Sequence, residues 1–252
     1  MKQYAYFSAL VALVALSAFN GCSTNAINPE EATVTISFSH QNDGMPLVLD
    51  KTIYTNAVGQ DYSIKTVKYF VSHITFHNAN GTDYKSSDIH FVDIRNDSTL
   101  RLELSNKILY GTYTGISFVY GLVLEDNVTS SLGIDLDRLM EWPVPMGGGY
   151  HYMKLEGDYI GSTGSAFFNF HAGPLAGIDY SVKVNLPQSK VIINESLVDL
   201  EIVMNIENWF QNPTNWDFEY WGSGIMGNPE AQTTVQANGH NVFSIQILNT
   251  RN

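Results

Sequence analysis

The sequence predicts an all-β fold: a single antiparallel β-sandwich with immunoglobulin-like packing and one or two short helices. Three observations point there. Apolar and polar residues alternate with a period of two through many short runs, which sets every second side chain on one face of an extended chain. Glycine- and asparagine-rich turns separate those runs, and helical periodicity is scarce. Hydrophobic residues make up 44% of the 252-residue chain, enough for one sizeable core, and no repeat, low-complexity tract or interdomain linker divides it.

The elements follow in order. Lys2 precedes an apolar stretch at 6–19, shorter than the roughly 20 residues a membrane-spanning helix takes and flanked as an export signal is. Residues 1–21 read as a lipoprotein signal peptide, because Cys22, the single cysteine of the chain, follows directly and is the expected site of lipidation. The bland alternative is an ordinary cleaved signal with a spare cysteine. Under the first reading the protein belongs to a bacterial cell envelope, lipid-anchored on the periplasmic side or at the outer membrane. One cysteine allows no disulfide within the chain. Residues 22–32, small, polar and acidic, form a flexible tether, and 33–249 form the folded domain. Val34, Ile36 and Phe38 open its first inward face, and His40 continues their parity. Strands follow over 63–76, near 89–94, over 100–104 and over 112–124, where Ile116, Phe118, Tyr120, Leu122 and Leu124 share a face. Val198, Leu200, Ile202, Met204 and Ile206 give the cleanest alternation, and Phe243, Ile245 and Ile247 close the domain. One helical turn is expected at 207–211 and a short helix at 229–237, begun by Pro229 and followed by Gly239.

Charge and motifs narrow the function. Charged residues are only 15% of the chain and the net charge is −12, which disfavours nucleic acid and anionic lipid surfaces. No GxSxG, P-loop, HExxH or EF-hand pattern is present, and no carboxylate pair marks a glycosidase. The chain reads as a binding protein and not an enzyme. Trp209, Trp216 and Trp221 could make a sugar-stacking platform, but they read first as core or loop anchors. Of the seven histidines, His73 and His77 stand four apart on a strand, roughly 13 Å at about 3.3 Å per residue, too far to share one ion. With His90 and His240 they read as ordinary surface or turn histidines.

His40, His151 and His171 are different. Three glycines, Gly147 to Gly149, lead into Tyr150-His151-Tyr152-Met153, where His151 shares parity with Met153 and Leu155. An imidazole on an apolar face must find partners for its nitrogens. His171 closes Phe167-Phe168-Asn169-Phe170-His171, beyond the turn Gly161-Ser162-Thr163-Gly164. A symmetric two-residue turn pairs His171 with Lys154 and turns it away from His151; an odd turn or a bulge brings both to one face. Two readings therefore stand: a three-histidine metal site, or three separately satisfied core histidines. With no thiolate at hand, imidazole together with the thioethers of Met140, Met146 and Met153 favours copper, with zinc as the fallback.

Several motifs go further. They are Phe38-Ser39-His40 with Asp43-Gly44, Val67-Lys68-Tyr69-Phe70-Val71-Ser72, the run from Gly147 through His151 to Gly157, and Asn169-Phe170-His171. Trp209-Phe210-Gln211-Asn212-Pro213 and Asn238-Gly239-His240 come later. On these the chain resembles the MbnP-like (methanobactin-operon-type) family of copper-binding periplasmic proteins and lipoproteins, in the form common among Bacteroidota. The resemblance implies an all-β fold and copper handling in the cell envelope. It also implies a metal bound by His40, His151 and His171, with Trp142, Met146 and Met153 as possible further members of the site. In some relatives a tryptophan near the site is oxidised to kynurenine by a dihaem cytochrome c peroxidase-like partner. Trp142 holds that loop position, although Pro143-Val144-Pro145 follows it where those relatives often carry Trp-X-Trp. The competing reading is a surface-anchored β-sandwich that binds a glycan or protein partner, its histidines purely structural.

Overall fold

The alternation in the sequence becomes two facing sheets. A computed structural model describes residues 30–186 and 189–251; Cys22, the signal segment and nearly all of the tether lie outside them. The main strands are β1 (Glu31–Asn42), β2 (Asp61–Asn78), β3 (Ile89–Asp93), β4 (Gly111–Tyr120), β5 (Met153–Gly161), β6 (Gly164–Ala172), β7 (Val182–Leu186), β8 (Leu197–Asn205) and β9 (Phe243–Arg251). The helices are α1 (Ile134–Met140), α2 (Phe218–Trp221) and α3 (Pro229–Gly239). One sheet is six-stranded and runs β9-β8-β1, with short strands completing the far edge of β1. The other is nine-stranded and runs β6-β5-β2-β4-β7, with β3 and further short strands alongside. Their inner faces meet over aromatic rings. Phe118 of β4 stands edge-on to Phe243 of β9 with centroids 5.2 Å apart, and Tyr69 of β2 lies 6.5 Å from the same Phe243 ring.

One pairing departs from the antiparallel expectation. β1 and β8 run parallel, with Val34 opposite Val198 and Phe38 opposite Ile202. Both strands are flanked on either side, the sheltered setting in which parallel pairs occur. The alternation also frays at strand ends: Leu124 is exposed beyond the end of β4, and Ile247 is half exposed on the edge strand β9. The expected helix is present as α3. Asn228 caps it by accepting from the backbone N–H groups of Glu230 and Ala231, and Pro229 fills its first position. The expected turn is a 3-10 helix at Ile206–Phe210. The sequence reading did not anticipate α1 and α2. α1 has seven residues and no side-chain cap, and α2 is a single turn capped by Asp217.

A fork in the larger sheet positions the site. Along one edge of β2, β5 pairs with residues up to Tyr69 and β4 takes over from Val71. At the handover the Phe70 N–H donates to the Tyr152 carbonyl at 3.1 Å, and the Gly121 N–H donates to the Phe70 carbonyl at 2.8 Å. The segment joining β4 to β5 therefore leaves and re-enters the sheet at this fork. It carries Trp142 and His151.

Candidate metal centre

That segment is folded back on itself by a small bridge. Glu141 pairs with Tyr150, the Trp142 N–H donates to the Gly149 carbonyl at 2.8 Å, and the His151 N–H donates to the Met140 carbonyl at 2.7 Å. The intervening loop is a 3-10 turn, Val144–Met146, started by the two prolines. Asn127 clamps the returning strand, accepting from the Tyr150 N–H at 2.6 Å and donating to the Tyr150 carbonyl at 3.2 Å. Gly149 has to be glycine. Its φ is +84°, and a Cβ there would fall 2.5 Å from the Asn127 side-chain oxygen and 2.6 Å from the Asn127 carbonyl.

The bridge, and not strand parity, decides where His151 points. β5 begins only at Met153, and Tyr152 lies in a bend, so the period-two count does not extend back to residue 151. The hairpin turn is symmetric, Gly161 opposite Gly164, and it sets Lys154 opposite His171. On the simple count His171 should then face away from His151. Instead the bend swings the His151 ring onto the His171 side, and the two imidazoles meet at right angles with centroids 5.0 Å apart. Trp142 stacks edge-on against the other side of His151, its centroid 4.8 Å away. Gly173 makes room for this indole, since a Cβ at that position would lie 2.5 Å from the Trp142 ring.

The hydrogen bonds fix both tautomers. His151 Nδ1 donates to the Met140 carbonyl at 3.0 Å, which leaves Nε2 with the lone pair. That atom is buried and has no hydrogen-bond partner. Burial, and then the nearby Lys154 ammonium, lower the His151 pKa to about 3, so its imidazole is neutral at ordinary pH. His171 Nε2 donates to the Glu156 carboxylate at 2.8 Å, which in the neutral ring leaves the lone pair on Nδ1. The His171 hydrogen bond holds Glu156 down at about 2, so the acceptor is ionised. Gln232, fully buried on α3, fastens the same backbone: its side chain donates to the His171 carbonyl at 2.9 Å and accepts from the Gly173 N–H at 3.2 Å. Two imidazoles with preset tautomers, one with a buried free nitrogen, form an arrangement that can accept a soft or borderline cation.

The other sequence candidates sit elsewhere. His40 is buried on the inward face of β1 as its parity requires, but its Nε2 is bonded to the Tyr69 hydroxyl at 3.1 Å. Among the described residues no three His, Cys, Asp or Glu side chains converge as a metal site would need. The expected three-histidine cluster is therefore reduced to a pair. Met153 is buried in the core beside Leu155, on the face of β5 opposite Lys154 and His171. Met146 sits half-buried on the 3-10 turn, close to Gly227. His73 and His77 form separate contacts, with Asp126 at 2.6 Å and with Asp83 at 2.9 Å. Trp209 and Trp216 are buried in the core, so the three tryptophans form no sugar-stacking platform. Sequence reasoning missed Glu156, Lys154 and Gln232. A signal for the first two was present, because the symmetric turn already set them on the His171 face.

A family model described as MbnP matches residues 31–227. Among solved structures, MbnP from Methylosinus trichosporium superposes with a TM-score of 0.57 and 10% identity, covering 87% of this chain and 100% of its own. At that identity the likeness is one of fold. The search of curated proteins finds no match.

Proposed function

The chain belongs to the MbnP family, and from that premise we propose that it is an exported lipoprotein that binds copper between His151 and His171. Membership fits a copper-related role; the ligands, the lipid on Cys22 and the cell-envelope location are our reading. One observation carries it. The Nε2 atom of His151 is buried without a partner, and leaving such a group unsatisfied costs on the order of 1–3 kcal/mol. A bound cation would remove that cost. His171 would contribute Nδ1, with Glu156 behind it as the carboxylate that orients the ring. Cuprous ion is a soft d10 cation that tolerates few ligands, and imidazole suits it. Zinc prefers four donors, and this pair is a poorer match for it.

Trp142 would close the buried side of the site, and Met146 belongs to the same loop. Oxidation of Trp142 by a dihaem cytochrome c peroxidase-like partner remains part of the proposal. It predicts a mass shift confined to the peptide that carries this residue. The role is storage or transfer of the metal, without a catalysed reaction. The central test is anaerobic titration with cuprous ion against a chromophoric chelator. The wild type should take up one ion, His151→Ala and His171→Ala should lose it, and His40→Gln should retain it. Equal trace copper in all four proteins would sink the proposal.

A further inference from the structure

Lys154 is the charged neighbour of the imidazole pair, and its placement is unusual. It stands directly opposite His171 across the β5–β6 ladder, on a half-buried face where Lys68 is its other neighbour. Glu156, two residues on and on the same face, bonds to His171 and not to Lys154. Lys68 in turn pairs with Asp93. No carboxylate pairs with Lys154 among the described residues. Its ammonium donates to the Leu139 carbonyl at 2.7 Å, next along the chain from the Met140 carbonyl that holds His151. A half-buried lysine would gain by turning to a carboxylate; here it is pinned beside the two imidazoles.

We propose that Lys154 is a charge filter that sets the selectivity of this site for monovalent over divalent metal ions. The inference rests on the copper reading above. The Glu156 carboxylate behind His171 would by itself favour a divalent ion, and the Lys154 ammonium opposite His171 offsets that preference. A fixed positive charge that stands opposite His171 and whose field reaches the His151 ring repels a divalent ion held there twice as strongly as a monovalent one. The protein thus discriminates by charge, beyond what the donor atoms supply. In half-buried surroundings one fixed charge changes the ratio of divalent to monovalent affinity by roughly 10- to 100-fold.

The experiment measures cuprous and zinc association constants by chelator competition for the wild type, Lys154→Met and Lys154→Arg, with circular dichroism checking that each is folded. Lys154→Met should raise the zinc-to-cuprous ratio at least tenfold, roughly the lower bound set by one charge, while Lys154→Arg should keep the wild-type ratio. If the wild type binds cuprous ion and the ratio is the same in all three, the filter is overturned and the copper reading survives. A wild type that binds neither ion overturns both. If Lys154→Met unfolds, the inference is decided by Lys154→Gln, held to the same criterion.

Discussion

Acid should weaken this fold well above the range where carboxylates titrate, and His40 lets that be measured. Burial lowers its pKa from the usual 6.5 to about 4. As pH falls below 6.5 the unfolded chain takes up the proton first, so the stability His40 contributes is complete above that value and lost on the way down to about 4. At pH 5 the native side chain is still mostly neutral and the unfolded one almost wholly charged. Relative to pH 7, the difference is about 2 kcal/mol for this one residue. His151, lowered to about 3, has the same sign and adds a comparable amount over the same interval. The assay is urea unfolding of chelator-treated protein at pH 7, 6 and 5 and constant ionic strength. His40→Gln keeps a partner for the Tyr69 hydroxyl but cannot titrate, so it should lose about 2 kcal/mol less than the wild type between pH 7 and pH 5. A variant whose stability falls in parallel with the wild type would refute the reasoning, as would a wild type with flat stability across the interval.

Two further perturbations probe the framework of the site. Gly149→Ala forces a side chain into a left-handed backbone at roughly 1–2 kcal/mol and drives its Cβ against Asn127. With the Asn127 clamp disturbed, a total of about 3 kcal/mol is expected, read as a lower urea midpoint; an unchanged midpoint would show that the clamp is not needed. Gln232→Ala removes hydrogen bonds to the His171 and Ile225 carbonyls and to the Gly173 N–H. It should cost roughly 2–4 kcal/mol by the same measurement, and a loss under 1 kcal/mol would mean that water replaces the side chain.

The strands were legible because half-buried strands imprint a period of two. Val198, Leu200, Ile202 and Met204 are all buried along β8, as their alternation requires. What alternation does not contain is the identity of neighbours: β1 and β8 are far apart in sequence, and nothing local announces that they lie parallel. α1 escaped because seven residues without a capping side chain leave little periodic signal. For the site, the sequence singled out His151 and His171 as histidines in unusual company, and the structure brings their rings together. Their meeting, however, comes from the bridge between Glu141 and Tyr150 and the bend before β5, not from the hairpin bulge that parity arithmetic required. His40 was correctly placed inward, but burial alone did not say that a tyrosine hydroxyl would satisfy it. Glu156 was legible only under the symmetric turn, which sets it on the His171 face; with the register left open, its partnership with His171 was not.

The parallel alignment of β1 and β8 has a mechanical consequence. Thr33 faces Leu197 at the start of both strands, and Arg251 at the end of β9 faces Leu197 as well. Both ends of the described domain thus leave the six-stranded sheet at one pole. β1 is bonded along nearly its whole length to β8 on one side and to shorter strands on the other. A pull transmitted through the residues before Glu31 and opposed at the far end of β8, near Asn205, would load all of these bonds in shear at once. In a single-molecule stretching experiment, handles placed at these opposite poles should meet high resistance, whereas handles at the two ends that share one pole should peel the sheet apart at lower force.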